Sequence, residues 1–245
     1  MMRSYGISHV GRVRSNNEDC YAARSELGLY IVADGMGGAR AGERASRIAV
    51  QTLIDEIDRA GDGCGLDSLV EAVERANHNI RWEARQHPEY SGMGTTLVAL
   101  MAHPPHAFIV NVGDSRVYHR RGEVVELVTS DHSWINEVGR GLGLSEEQLR
   151  THPYRNVLTK AVGAEDEIDV QRIETDLLPG DNILLCSDGL HGVAGDRTIH
   201  EILLRQDTLR ARCEALIESA LERGAPDNAT ALLVEYAIGG DGVGR

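Results

Sequence analysis

The chain has 245 residues, enough for one large domain or two small ones, and its 42% hydrophobic content supplies a core at that length. A net charge of -13 argues against a binder of nucleic-acid backbones, which needs a basic face, and no apolar run approaches the ~20 residues that span a bilayer. The four cysteines contain no Cys-x-x-Cys pair and read as reduced core thiols. With no apolar signal region at the amino terminus, the expectation is a soluble, cytoplasmic protein. No Pro/Ser-rich linker or shift of composition divides the chain, so one domain is expected over residues 1–238, followed by a Gly-rich, flexible tail at 239–245.

In chain order, residues 5–10 read as a first strand, followed by the polar loop Arg12-Val-Arg-Ser-Asn-Asn-Glu-Asp19 and a strand over 20–23. Leu29-Tyr-Ile-Val-Ala-Asp-Gly-Met-Gly-Gly38 is an apolar run that stops at a carboxylate and glycines, as expected of a buried strand that delivers Asp34 to a sheet edge. Helices follow over 42–60 and 66–86, where Ala45, Ile48, Ala49, Leu53 and Ile57, then Leu69, Val70, Val73, Ala76 and Ile80, recur at helical spacing. His78 and His87 are expected at the surface or at a cap. A strand from Gly94 to Met101 turns at Pro104-Pro105 into one that ends at Asp114, and 116–120 with 123–127 form a hairpin about Arg121-Gly122.

From 131 to 161 the apolar periodicity weakens, with short helices expected over 134–142 and 145–151, the second capped by Ser145. That segment reads as an excursion from the core that could lie beside the acids. Strands resume over 170–176 and 182–187, then helices over 196–205 and 209–223, and a last strand over 229–236 after Pro226-Asp-Asn228. Strands in hairpin runs and helices in adjacent pairs predict an antiparallel α+β fold, most simply helices packed on two stacked sheets.

An isolated Asp-Gly pair is ordinarily a turn. Here, however, apolar strands run into Asp34, Asp114 and Asp188, each beside a glycine, and Asp227 starts a strand whose antiparallel neighbour would bring it to the same edge. Gathered carboxylates repel one another unless cations bind them. All-oxygen ligands from Asp34, Asp114, Asp188, Asp227, Glu18 and Asp19 suit magnesium or manganese, and two such ions ~3.5–4 Å apart clamp an in-line displacement at phosphorus. Arg14, close to Glu18 and Asp19, is the candidate for gripping phosphate oxygens, although taken alone it reads as part of a solvated charged loop. The glycines after Asp34 lack Gly-Lys-Ser/Thr and place Arg40 where a dinucleotide fingerprint needs its last glycine, so neither nucleotide motif is present. With no Ser/His/Asp grouping or activated Cys, the chemistry expected is hydrolysis by a metal-bridged water without a covalent intermediate.

Arg14-Ser-Asn-Asn-Glu-Asp19, Val32-Ala-Asp-Gly-Met-Gly-Gly38, Gly94-Thr-Thr96, Val112-Gly-Asp-Ser-Arg116, Ser187-Asp-Gly-Leu190 and Asp227-Asn228 occur in this order. Together they resemble the bacterial members of the metal-dependent protein phosphatase 2C family, over residues 5 to 236. The resemblance implies a four-layer sandwich of two antiparallel β-sheets flanked by pairs of helices. It implies removal of phosphate from Ser and Thr with manganese or magnesium, in opposition to a Ser/Thr kinase. Asp34 would bridge two central ions with help from the Gly35 carbonyl, and Asp188 and Asp227 would hold the second ion. Glu18 or Asp19 would act on the first ion, directly or through water. Asp114 with Asp188 would hold a weaker third ion, and Arg14 would bind the substrate phosphate, so Arg14, Asp34 and Asp188 carry catalysis. Residues 131–161 match the family's variable flap, which implies a part in substrate choice. Animal members have a His after the Asp-Gly pair as general acid, and Met36 stands there instead; His132, His191 and metal-bound water are the candidate donors, water being favoured.

Phosphoprotein substrates and a cognate kinase are the expected partners of a monomer, without nucleic acid or membrane. Two other classes fit parts of the pattern: a silent pseudophosphatase that binds phosphoproteins, and a metal-dependent hydrolase of small phosphate esters. The retention of Asp34, Asp188 and Asp227 together favours an active enzyme over the pseudophosphatase.

Overall fold

In a computed structural model, which describes residues 1–237 apart from 39, 62, 144, 155 and 156, the strands separate into two antiparallel sheets. The expected tail at 239–245 lies outside the described residues. One sheet holds β1 (Met2–His9), β7 (Arg116–Arg121), β8 (Val124–Leu127), β10 (Asn182–Cys186) and β11 (Ala229–Tyr236), in the order β1-β11-β10-β7-β8. The other holds β2 (Asp19–Arg24), β3 (Leu29–Met36), β5 (Leu97–His103), β6 (His106–Val112) and β9 (Gln171–Asp176) in that order, with the short β4 (Gly94–Thr95) pairing the end of β3.

The two-residue period of each strand explains the layers. In β3, Leu29, Ile31 and Ala33 face the helices α1 (Ala41–Ala60) and α2 (Leu66–Gln86), with Leu53, Leu69, Val73 and Ile80 in the same cluster. Tyr30 and Val32 point the other way and meet Val117, Ile183, Leu185 and Leu232 of the facing sheet. On the far side Leu184, Cys186, Ala231 and Leu233 pack against α5 (Asp188–Ala194), α6 (Asp196–Leu203) and α7 (Leu209–Glu222). Three apolar seams between four layers result, and a central strand buried on both faces reads as an uninterrupted apolar run. Two further short helices, α3 (Trp134–Glu137) and α4 (Glu146–Thr151), occupy the 131–161 excursion, and Ser145 caps α4 through Gln148 N–H as expected.

Three sequence expectations change. The strand placed over 94–101 is broken after Thr95, because the Thr95 and Thr96 side chains and backbone turn to bond Asp34 rather than continue the ladder. The acid at 188 does not merely end a strand: Ser187 stands at the N-cap position of α5, with its hydroxyl turned to Asp19, and Asp188 is the first residue of the helix. One face of the sandwich therefore carries three helices rather than a pair. Periodicity missed α5 because its apolar stripe is only Leu190, Val193 and Ala194, in a seven-residue element.

Candidate metal centre

The sandwich brings the acids to one end. Asp34 lies in β3 directly across from Asp19 at the start of β2. Asp114 occupies the crossing from β6 in one sheet to β7 in the other. Asp188 follows β10 and Asp227 precedes β11, and because these strands are antiparallel neighbours the two acids meet at the same edge. Asp34, Asp114, Asp188, Asp227, Glu18 and Gly35 line one basin of about 500 Å3, with Arg14 at its mouth. A second cavity of about 800 Å3 shares Asp114, Asp188 and Asp227 and continues under Arg116 and Asp131.

The two Asp-Gly pairs owe their glycines to close packing, since neither Gly35 nor Gly189 has a positive φ. A Cβ on Gly35 would stand 2.0 Å from the Gly42 carbonyl oxygen at the start of α1, and one on Gly189 would stand 1.9 Å from that of Asn228. Each carboxylate is thus held where a helix start is pressed against a strand.

Buried hydroxyls tie the acids across the sheets. Thr96 Oγ1 accepts from Asp34 N–H at 3.0 Å and lies 2.8 Å from Ser115 Oγ. Ser187 Oγ and Thr230 Oγ1 donate to Asp19 Oδ2 at 2.8 and 2.6 Å. Asn228 accepts from Glu18 N–H at 2.8 Å and donates to the Val10 and Asn16 carbonyls, which fixes the loop bearing Arg14. Sequence reasoning carried Thr96, Ser115, Ser187 and Asn228 within its motifs without giving them a part and passed over Thr230, although all but Thr96 sit one to three places from an acid.

Burial, reinforced by Asp19, Asp188 and Asp114, pushes Asp34 well above the ordinary aspartate range. Burial raises Asp19 to about 6, against the hydrogen bonds from Thr230 and Ser187, with Asp188 adding to the rise. Burial, Asp188 and Asp131 raise Asp114 to about 7. Asp19 Oδ1 and Asp188 Oδ1 are buried without a hydrogen-bond partner. Such a group is expensive unless a cation or proton satisfies it.

Among the described residues no three carboxylate, imidazole or thiol groups gather closely enough to hold one ion on side chains alone. The acids line a basin of about 500 Å3, which leaves room for water and substrate oxygens beside them. That suits a hard cation such as magnesium, which keeps several waters and takes one or two protein carboxylates. The donor set therefore fits divalent cations.

Arg14 is half exposed and donates to Asp227 Oδ2 at 2.7 Å, so the loop reading gives way to a guanidinium anchored at the basin. Asp19 does not line the basin and lies behind Asp34, leaving Glu18 as the acid of that pair at the cavity wall. The candidate donors His132 and His191 are both buried. Burial, helped by Lys160, holds His132 below the ordinary imidazole range, and burial with Arg116 does the same for His191. No cysteine lines the basin, and burial raises Cys20, Cys186 and Cys213. No helix among the described residues is long and apolar enough to cross a membrane.

Residues 5–235 match the family described as protein phosphatase 2C. The serine/threonine phosphatase stp of Listeria innocua is 36% identical over 232 residues, 92% of each chain. The solved structure of PppA, a key regulatory component of T6SS in Pseudomonas aeruginosa, superposes with a TM-score of 0.84 at 38% identity, over 96% of this chain and 97% of that one. The catalytic domain of the serine threonine protein phosphatase PstP, solved with 2 manganese ions, superposes with a TM-score of 0.86 at 32% identity, over 97% of this chain and 99% of that one. Carboxylates gathered from both sheets, the sandwich that gathers them and the match along nearly the whole chain agree: it belongs to the protein phosphatase 2C family.

Proposed function

We propose that this phosphoprotein phosphatase hydrolyses phosphoserine and phosphothreonine at the basin formed by Asp34, Asp114, Asp188 and Asp227, with Arg14 receiving the phosphate. The convergence of those four carboxylates from both sheets beside one anchored guanidinium carries the reading. Asp34, with the Gly35 carbonyl, and Asp188 with Asp227 would hold two central ions, manganese or magnesium, and Glu18 supports the first. Asp19 steadies Asp34 from behind. Asp114 and Asp188 would hold a weaker third ion. When bound, such cations neutralise the carboxylates, lower the pKa of water towards neutrality and stabilise charge developing at phosphorus.

The chain's own groups then bind and orient. Arg14, which donates to Asp227 in the free protein, turns its remaining N–H groups to the phosphate oxygens and holds the ester for in-line attack. No thiol or activated hydroxyl faces the phosphorus, which leaves water as nucleophile and no covalent intermediate. Neither His132 nor His191 is presented as an acid: both are held neutral, and His191 Nε2–H is spent on the Asp114 carbonyl. Water is left to protonate the leaving Ser or Thr oxygen.

The 131–161 segment serves as the flap over this site, since Leu158 lines the basin and Asp131, Ser133 and Asn136 line the adjoining cavity. The physiological setting is opposition to a Ser/Thr kinase. Phosphate release from a phosphothreonine peptide, abolished by chelator and restored by manganese, is the expected behaviour. Turnover of a small aryl phosphate with none on the peptide would assign the chain to small esters instead.

A further inference from the structure

The Gly113–Asp114 turn is held by two buried histidines from opposite sides, through opposite ring nitrogens. His132 lies eighteen residues further along the chain, where the 131–161 segment begins, and accepts the Gly113 N–H on Nδ1 at 3.1 Å. The backbone N–H of His132 donates to the Gly113 carbonyl at 2.9 Å, closing a two-way bridge. His191, in α5, places Nε2 2.9 Å from the Asp114 carbonyl oxygen. A carbonyl can only accept, so that nitrogen carries a proton, whereas Nδ1 of His132 must be bare. Gly113 itself has a φ of +101°, and a Cβ there would stand 2.7 Å from Thr96 Cγ2. The turn thus uses a backbone conformation that glycine adopts readily, packed closely against Thr96, the residue that bonds Asp34, and the two histidines supply its side-chain hydrogen bonds from outside.

We infer that His132 and His191 are positioning residues that hold the Asp114 carboxylate at the metal basin, each through one specific ring nitrogen. The inference rests on the reading of Asp114 as a cation ligand. Neither ring lines the basin that holds Arg14, so their part is in where Asp114 stands.

The two nitrogens make the test chemical. An Asn side chain sets an oxygen near the place of Nδ1, and a Gln side chain sets an amide N–H near that of Nε2. H132N should therefore keep the acceptor for Gly113 and H132Q lose it, whereas H191Q should keep the donor for Asp114 and H191N lose it. Manganese binding to chelator-stripped protein by titration calorimetry or electron paramagnetic resonance, with melting temperature measured alongside, reads this without relying on turnover. H132Q and H191N are expected to weaken the weakest manganese site about tenfold, the loss of one buried hydrogen bond. H132N and H191Q are expected to stay within about threefold of the unmodified protein.

Amides that weaken binding equally at both lengths, or not at all, would overturn the inference. D114A is the control for the reading beneath it. If D114A binds as many ions as the unmodified protein, Asp114 is not a ligand and the underlying assignment fails. If D114A loses an ion while the histidine variants show no nitrogen preference, only the clamp fails.

Discussion

At the residue scale, the basin is a set of charges that the folded chain tolerates poorly on its own. Asp34 is driven up by burial and by its acid neighbours, and one oxygen each of Asp19 and Asp188 is buried without a partner. Arg14 is the one cation anchored at the mouth among the described residues lining it, and its ion pair with Asp227 is half exposed. Such a pair contributes little to stability, about 0–1 kcal/mol, so its value lies in orientation. Arg14→Ala should leave the melting temperature within about 2 °C. Phosphopeptide steady-state kinetics should show KM raised about tenfold or more, and Arg14→Lys should recover only part of the loss because an ammonium cannot grip two oxygens at once. An unchanged KM in Arg14→Ala would move the phosphate elsewhere in the basin. Asp34, Asp114 and Asp188 were legible in the sequence because each ends an apolar run beside a glycine, Asp227 because it opens the last apolar strand, and Arg14, Glu18 and Asp19 through the motif they share. The anchoring parts of His132, His191, Ser187 and Thr230 were not, since only the fold shows which backbone groups and carboxylates they bond.

At the scale of elements, the site depends on two helix starts driven into strands. Gly189 allows α5 to touch the backbone of Asn228, which sets Asp188 against Asp227. Gly189→Ala would force that contact apart, and denaturant unfolding should show a loss of about 1–3 kcal/mol together with weakened manganese binding. Retained affinity in a destabilised Gly189→Ala protein would mean that the helix start does not place Asp188.

The long helices α1 and α2 were readable from a full 3.6-residue stripe, and β3 from its unbroken apolar run. The seven-residue α5 was not: three apolar side chains do not establish a helix, and its place comes from packing on β10 and β11. The break between β4 and β5 was equally hidden, because it is made by Thr95 and Thr96 bonding to Asp34, residues distant in sequence.

At the scale of the whole molecule, two sheets meet at an acidic end that folding alone does not neutralise. Asp19 and Asp114 hold protons more tightly in the folded state, with values of about 6 and about 7 against an ordinary 3.8. A raised folded-state value gives stability that is complete below the unfolded value and is lost as pH rises through the folded one. Chelator-stripped protein should therefore lose melting temperature as pH climbs from about 5 to about 8. Saturating manganese should flatten that fall, and at a hundredfold excess over Kd should raise the melting temperature by roughly 5–10 °C. A stripped protein whose melting temperature is level over this range would show that the acids do not strain the fold.

The layered α+β architecture was legible from hairpins and helix pairs. The way the two sheets share one basin was not, because it depends on the crossing at Asp114 and on hydroxyls that bond from one sheet to the other.

The central claim is that the gathered carboxylates hold the cations that make the chain a phosphatase. Asp188→Asn tests it most directly, since it removes a ligand without removing volume. Phosphate release from a phosphothreonine peptide would be followed in chelator-stripped protein as manganese is titrated back, with the variant alongside. The expected result is manganese-dependent turnover in the unmodified protein and a loss of at least about a hundredfold in the variant, with its melting temperature preserved. Turnover in folded Asp188→Asn protein equal to that of the unmodified chain would contradict the account.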